Sequence, residues 1–250
     1  MNRKLPADPA RRIHLHGVGE VSRPVDIDAS VTGFHHLKSL RIYHFLPGQV
    51  IDGEAEGDEV CIVFLTGDLT MEVGGPASHR WTLEGRQSVF AGPPHVLYLP
   101  PHYSYRLAPH TACEVAYARS SAKGEWPTRL LRRESLAVQE EDGARMTHIL
   151  GPGDAEALLC CEVVTKGRTW TPFPPHEHEF EQLSHFRFDT RSGFALARAF
   201  NDGVDQAFTV LEGDTLALER GFHTASVAPN CNAYALHVWA GPAVERAGTA

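Results

Sequence analysis

The run Glu59-Val60-Cys61-Ile62-Val63-Phe64-Leu65, closed off by Gly57-Asp58 before it and Gly67-Asp68 after it, sets the terms for this chain. A segment this short and this rich in β-branched and aromatic residues suits a strand, because those side chains pack well on a pleated surface. The same pattern returns in Ser88-Val89-Phe90, in His95-Val96-Leu97-Tyr98-Leu99 and in Cys113-Glu114-Val115-Ala116-Tyr117-Ala118. Glycine and proline, 22 and 17 in number, are scattered between such runs as punctuation. No long window keeps a helical period; Asp154 to Leu159 reads as a short helical turn at most. The expected class is all-β.

Two halves of the chain resemble each other. Leu65-Thr66-Gly67-Asp68-Leu69 is followed by Leu97-Tyr98-Leu99-Pro100-Pro101-His102 and a strand ending near Ala118. Later, Leu211-Glu212-Gly213-Asp214-Thr215 is followed by Arg220-Gly221-Phe222-His223 and a last strand, Tyr234 to Ala240. A Gly-Asp turn, a strand, a turn carrying histidine and a closing strand thus occur twice. This predicts two β-barrels of one type in tandem. The expected boundaries are a first barrel over 1–120, a polar linker over 121–133 with Gly124 and Pro127, and a second barrel over 134–250.

At 250 residues either barrel can bury a core of its own. With 23 basic against 31 acidic residues, net −8, the one basic block is Arg129 to Arg133. Nucleic acid and anionic membranes are therefore excluded as main partners, whereas an anionic small molecule needs only one or two local cations. No apolar run is long enough for a signal peptide or a bilayer span, so a cytoplasmic location is expected. The five cysteines are odd in number and lack CxxC spacing, which suits reduced, buried thiols. Cys160 and Cys161 are adjacent and, on a strand, face opposite sides.

Chemistry concentrates in Pro174-Pro175-His176-Glu177-His178-Glu179. On a strand His176 and His178 share a face, and two neutral imidazoles on one face are half of a first-row metal site. His223, at the start of a later strand, is the natural third ligand. For the fourth, Glu179, Glu181 and Gln182 lie within reach along the chain. Strand parity favours Gln182, and a bulge would instead bring Glu181 inward. With 15 histidines in the chain some pairs occur by chance, and His14-Leu15-His16, in a charged N-terminal segment, reads as solvated. The first half carries Gly53-Glu54-Ala55-Glu56 at the corresponding place and reads as a barrel without a metal.

The Pro-Pro-His-x-His element, Arg220-Gly221-Phe222-His223, Gly85-Arg86-Gln87-Ser88-Val89-Phe90-Ala91-Gly92-Pro93-Pro94, Leu97-Tyr98-Leu99-Pro100-Pro101 and Val238-Trp239-Ala240-Gly241-Pro242 together resemble the cupin superfamily. More narrowly they resemble the bicupin isomerases of the 5-deoxy-glucuronate isomerase family. The resemblance implies two double-stranded β-helix, or jelly-roll, barrels. It also implies a divalent metal (Zn, Mn or Fe) and the interconversion of an aldehyde sugar acid and its ketose in inositol breakdown. It carries His176, His178 and His223 over as ligands. The family's glutamate falls on Gln182, an asparagine of the last strand becomes His237, and aromatic positions become Ser184 and His185. Cupins pair through barrel edges, which makes a homodimer the assembly to expect.

For such an isomerase Arg198 and Arg220 are candidates to hold a substrate carboxylate, a role that suits the guanidinium fork. Glu179, Glu181 and His237 are candidate bases and Tyr234 a candidate proton donor. Two other readings stay open. One is a metal-dependent dioxygenase, since the same ligands on iron support oxygen chemistry. The other is a non-catalytic sugar binder, which the glutamine at 182 favours.

Overall fold

The computed structural model describes residues 21–201 and 203–241, without the side chains of His176 and His178. The expectation for His14 and His16 lies outside these residues, as does Pro242. Among them the regular structure is all strand apart from one four-residue helix, Ala29–Thr32, and one 3-10 turn, Arg133–Ser135. No helix among the described residues is long and apolar enough to cross a membrane.

Strands are numbered in chain order. One sheet runs β1 (Ser22–Asp28), β2 (Leu37–Phe45), β9 (Cys113–Ser121), β4 (Asp58–Thr66), β7 (Val96–Leu99), β10 (Arg129–Leu131). It faces a four-stranded sheet, β3 (Ile51–Glu54), β8 (Ser104–Pro109), β5 (Leu69–Gly74), β6 (His79–Leu83). The second half repeats this plan. Its larger sheet is β11 (Ala137–Glu141), β12 (Ala144–Leu150), β13 (Leu158–Lys166), β20 (Asn232–Ala240), β15 (Glu181–Phe188), β18 (Thr215–Leu218). Its smaller sheet is β14 (Trp170–His178), β19 (Gly221–Val227), β16 (Ala195–Asn201), β17 (Val204–Val210). Strands β2 to β9 therefore recur in the same order as β13 to β20, and each set closes into a jelly-roll barrel.

The duplication is present, but the Gly-Asp turns do not mark it. Gly67-Asp68 joins β4 to β5, whereas Gly213-Asp214 joins β17 to β18, whose counterparts are β6 and β7. The two turns are one hairpin out of step. Within the segment 121–133 read as linker, β10 pairs with β7 (Leu130 opposite Leu97) and extends the first sheet.

The larger sheets pack back to back. One apolar cluster joins Val25, Ile27, Leu40, Cys61 and Val63 of the first half to Leu158, Cys160, Leu183, Leu236 and Val238 of the second. This explains the continuous apolar run from Val60 to Leu65: β4 is covered on one face by its own lumen and on the other by the second barrel. Two carboxylates staple this interface. Glu59, first barrel, accepts from the backbone N–H groups of Glu156 (2.9 Å), Ala157 (2.7 Å) and Leu158 (2.6 Å). Glu181, at the equivalent place on β15, accepts from those of His35 (2.6 Å), His36 (2.7 Å) and Leu37 (2.8 Å). The helical turn expected over Asp154 to Leu159 is absent for the same reason. The N–H groups that would close it point at Glu59, and the chain enters β13 at Leu158 instead.

A buried ion pair completes the joint. Arg86, from the loop before β7, donates from both terminal nitrogens to the Glu162 carboxylate on β13, with the Nη1 bond at 2.9 Å. The Tyr234 hydroxyl donates to the same carboxylate at 2.5 Å. All three side chains are buried.

Candidate metal centre in the second barrel

Strand parity sorts the candidate residues. On β15 the even positions Gln182, Ser184 and Phe186 line a cavity of about 380 Å³ inside the second barrel. The odd positions face the first barrel, where Leu183 joins the shared apolar cluster and Glu181 meets Leu37. On β20 the assignment is reversed: Ala233, Ala235, His237 and Trp239 line the cavity, while Tyr234, Leu236 and Val238 belong to the shared cluster.

The histidines enter through one strand pair. In the β14–β19 ladder His176 is the Cα partner of His223, and His178 is the partner of Gly221. The ladder is broken between Thr171 and His176, where Pro172, Pro174 and Pro175 supply no N–H, and it resumes at His176 with its register shifted. His223 lines the cavity, and on its other side it pairs with Ala199 of β16.

Gln182 is fully buried and held on every side the described residues offer. Its Oε1 accepts from the Trp239 indole at 2.8 Å, and its Nε2 donates to Ser184 Oγ at 2.6 Å and lies 3.2 Å from His237 Nδ1. Ser184 Oγ is 2.8 Å from the same Nδ1. The His237 ring stacks on Trp239 with centroids 5.5 Å apart.

Four of the proposed functional residues stand elsewhere. Glu181 is spent on three backbone N–H groups at the interface, so it is neither the fourth ligand nor a lumen base. Tyr234 points at Glu162 on the opposite face of β20 from His237, so it is no proton donor to the cavity. Arg198 lies on the outer face of β16, where Asp205 takes its fork at 2.7 and 2.8 Å and Phe200 lies under it at 4.3 Å. Arg220 is exposed in the turn before β19 and is not among the cavity-lining residues. His223, Gln182 and His237 are in the cavity as expected. Sequence reasoning passed over Trp239 as a functional residue and treated Ser184 only as a departure from family pattern. Their parity with Gln182 and His237 was the signal that placed them.

Among the described side chains no three of His, Cys, Asp or Glu converge on one point, and those of His176 and His178 are outside that description. The donor set that can be stated is an imidazole at 223, an amide oxygen at 182 that accepts from Trp239, and a histidine register at 176 and 178. Nitrogen with neutral oxygen suits a first-row divalent ion.

The first barrel carries different residues at the corresponding places. Gly53 pairs with Tyr105 as His176 pairs with His223, so Gly53-Glu54-Ala55 occupies the place of His176-Glu177-His178. The Tyr105 ring and hydroxyl lie where a Cβ on Gly53 would project. Val60 holds the place of Gln182, and Tyr117 that of His237.

A model of the KduI/IolB family matches residues 17–249. A 5-deoxy-glucuronate isomerase from Geobacillus kaustophilus is 28% identical over 248 residues, covering 92% of this chain and 88% of the relative. One from Geobacillus thermodenitrificans is 27% identical, with 92% and 89% covered. Among solved structures, an IolB-like protein from Salmonella typhimurium superimposes with a TM-score of 0.83 at 23% identity, over 89% of this chain and 90% of that one. A mutant oxalate decarboxylase from Bacillus subtilis gives 0.69 at 10% identity, over 91% and 75%. The fold is thus that of the cupins, and Mn(II) centres are described for that decarboxylase.

Proposed function

The chain belongs to the KduI/IolB family, and on that premise we propose that its second barrel is a metal-dependent aldose–ketose isomerase of a sugar acid such as 5-deoxy-glucuronate. The observation that carries the reading is the register of His176 against His223 at the mouth of a closed lumen that also holds Gln182 and His237. A divalent ion held by His176, His178, His223 and the Gln182 oxygen would supply positive charge to a carbonyl and its neighbouring hydroxyl.

The chain's own residues do the rest. Aldose–ketose exchange moves a proton between adjacent carbons, which needs a group that takes and returns it. His237 fits that role: it is in the lumen, its ring is fixed by stacking on Trp239, and its Nδ1 is held by Ser184. The Trp239–Gln182–Ser184 chain of hydrogen bonds sets the ring's plane and keeps the mouth rigid. Apolar walls below exclude water from the transferred proton. The cytoplasm as compartment, inositol breakdown as setting and a homodimer joined at barrel edges complete the proposal.

The amide at 182 favours one second reading, a sugar binder without turnover. Incubation of the manganese-loaded protein with 5-deoxy-glucuronate, followed by NMR of the aldehyde proton, separates the two. Loss of the aldehyde signal with appearance of the ketose supports the isomerase. An unchanged spectrum with metal and sugar both bound rejects it in favour of the binder.

A further inference from the structure

Two places on the lumen wall are apolar in the first barrel and carry hydroxyls in the second. Thr165 of β13 is the Cα partner of Ala233, as Phe45 of β2 is of Cys113. Thr171 of β14 is the partner of Ala225, as Ile51 of β3 is of Leu107. Phe45 and Ile51 are buried in the apolar core of the first barrel. Thr165 and Thr171, one from each sheet of the second, both line the 380 Å³ cavity. Their hydroxyls meet there, with Thr165 Oγ1 donating to Thr171 Oγ1 at 3.4 Å. Each hydroxyl offers a proton and two lone pairs, so one long bond leaves most of that capacity facing the lumen. Polar groups on a core face are costly unless something pairs with them.

Their place along the barrel fits one end of a sugar acid. Thr171 lies opposite Ala225, two residues along β19 from His223, which is about 7 Å of strand. That is the span of an extended hexose chain. The other polar lining groups are engaged or lie nearer the mouth. Gln182, Ser184 and His237 bond one another, Cys161 and His148 sit level with His237, and Thr224 donates to the Pro172 carbonyl at 2.7 Å. Arg198 turns its guanidinium outward to Asp205, and Arg220 does not line the cavity. A substrate carboxylate in the lumen therefore meets hydroxyls rather than a guanidinium. Its charge is answered from the mouth: neutral donors at 176, 178, 182 and 223 would leave a divalent ion its full charge. No Asp or Glu among the described lining residues offsets that charge.

We infer that Thr165 and Thr171 are the specificity-determining pair of this lumen, taking the carboxylate end of the sugar acid while its carbonyl end meets His223 and Gln182. The inference rests on the sugar-acid isomerase reading of the same site and adds which way the substrate lies in it. Pockets that are mostly apolar orient small ligands through a few polar groups placed in this way.

The test reads binding, so it does not depend on turnover. Glucarate carries an α-hydroxy acid at one end and a carboxylate at the other; glycolate is the α-hydroxy acid end alone. Both are titrated into the zinc-loaded protein, followed by calorimetry and by threonine methyl NMR. Glucarate is expected to bind saturably and to shift the Thr165 and Thr171 methyl signals, which glycolate leaves in place. The double variant Thr165→Val with Thr171→Val keeps the side-chain shape and is expected to weaken glucarate by about tenfold or more, with glycolate and zinc within about twofold. Thr171→Ser, which keeps the hydroxyl, should bind glucarate within about threefold of the native chain. Should the double variant not fold, Thr171→Val alone is read in the same way. Glucarate affinity unchanged in the folded variant, glycolate weakened in parallel with it, or no saturable binding of glucarate to the native chain overturns the inference. A failure to isomerise 5-deoxy-glucuronate while the glucarate series holds would overturn the turnover reading alone.

Discussion

The Trp239 indole donates to Gln182 Oε1 at 2.8 Å. Since an indole nitrogen can only donate, this bond fixes which end of the buried amide is oxygen. The amide nitrogen is thereby turned toward Ser184 Oγ and His237 Nδ1, at 2.6 and 3.2 Å. A glutamate at 182 would keep the bond to Trp239 with one oxygen and present a second, anionic oxygen where the chain now has an NH₂ group.

Gln182→Glu is therefore expected to tighten divalent metal binding by about tenfold or more, because an anionic carboxylate replaces a neutral amide. Isothermal titration with Mn²⁺ measures it. Equal or weaker affinity in the variant would mean that residue 182 takes no part in holding the ion.

Glu181→Ala is expected to leave metal affinity within twofold and to lower stability on the order of 3 kcal/mol, since three interface N–H groups lose a charged acceptor. Glu59→Ala removes the matching staple and should cost a similar amount. Urea unfolding gives the stability and Mn²⁺ titration the affinity. A Glu181 variant that loses metal at unchanged stability would reinstate it as a ligand.

These two glutamates also show where sequence reading reached and where it stopped. Alternation counted along one strand from His176 to Gln182 put Gln182 on the inner face, and Gln182 does line the cavity, although that run is broken between β14, which ends at His178, and β15, which starts at Glu181. It could not say what covers the other face. Glu181 and Tyr234 looked like active-site residues since nothing in one strand's sequence reveals a second barrel packed behind it. Arg198 has the same origin: its partner Asp205 is a strand away in a hairpin whose register only the fold supplies.

Arg86 and Glu162 offer a test of the joint between the barrels. Arg86→Met leaves the Glu162 carboxylate buried with the Tyr234 hydroxyl and no cation, and it is expected to cost roughly 3–5 kcal/mol. The double variant Arg86→Met with Glu162→Leu removes both charges and is expected to recover most of that loss. Urea unfolding of the four members of the cycle measures the coupling. Simple additivity of the two single losses would show that the pair does not act as a unit.

His185 makes the fold sensitive to acid. It sits on the interface face of β15 with Nδ1 3.1 Å from Thr215 Oγ1, and its Nε2 is buried without a hydrogen-bond partner. Burial is the main cause that pushes its pKa down from 6.5 to about 4, with Arg187 and His44 adding to the shift against an opposing pull from Glu114. The unfolded chain thus takes up this proton near pH 6.5 while the folded one resists it until about pH 4. Stability from this group is full above pH 6.5 and is lost as the pH falls through that window, by roughly 3 kcal/mol at its lower end. For the nearby Glu114, burial raises the pKa, but His44 and Arg187 outweigh it and hold it at about 2. Its own loss falls lower, between its ordinary 4.5 and that value. Val63 is the residue at this place in the first barrel. His185→Val should accordingly flatten the stability profile between pH 6.5 and 4.5 relative to the native chain, as read by urea midpoints at half-unit steps. Parallel profiles for the two proteins would show that His185 is not the group that titrates.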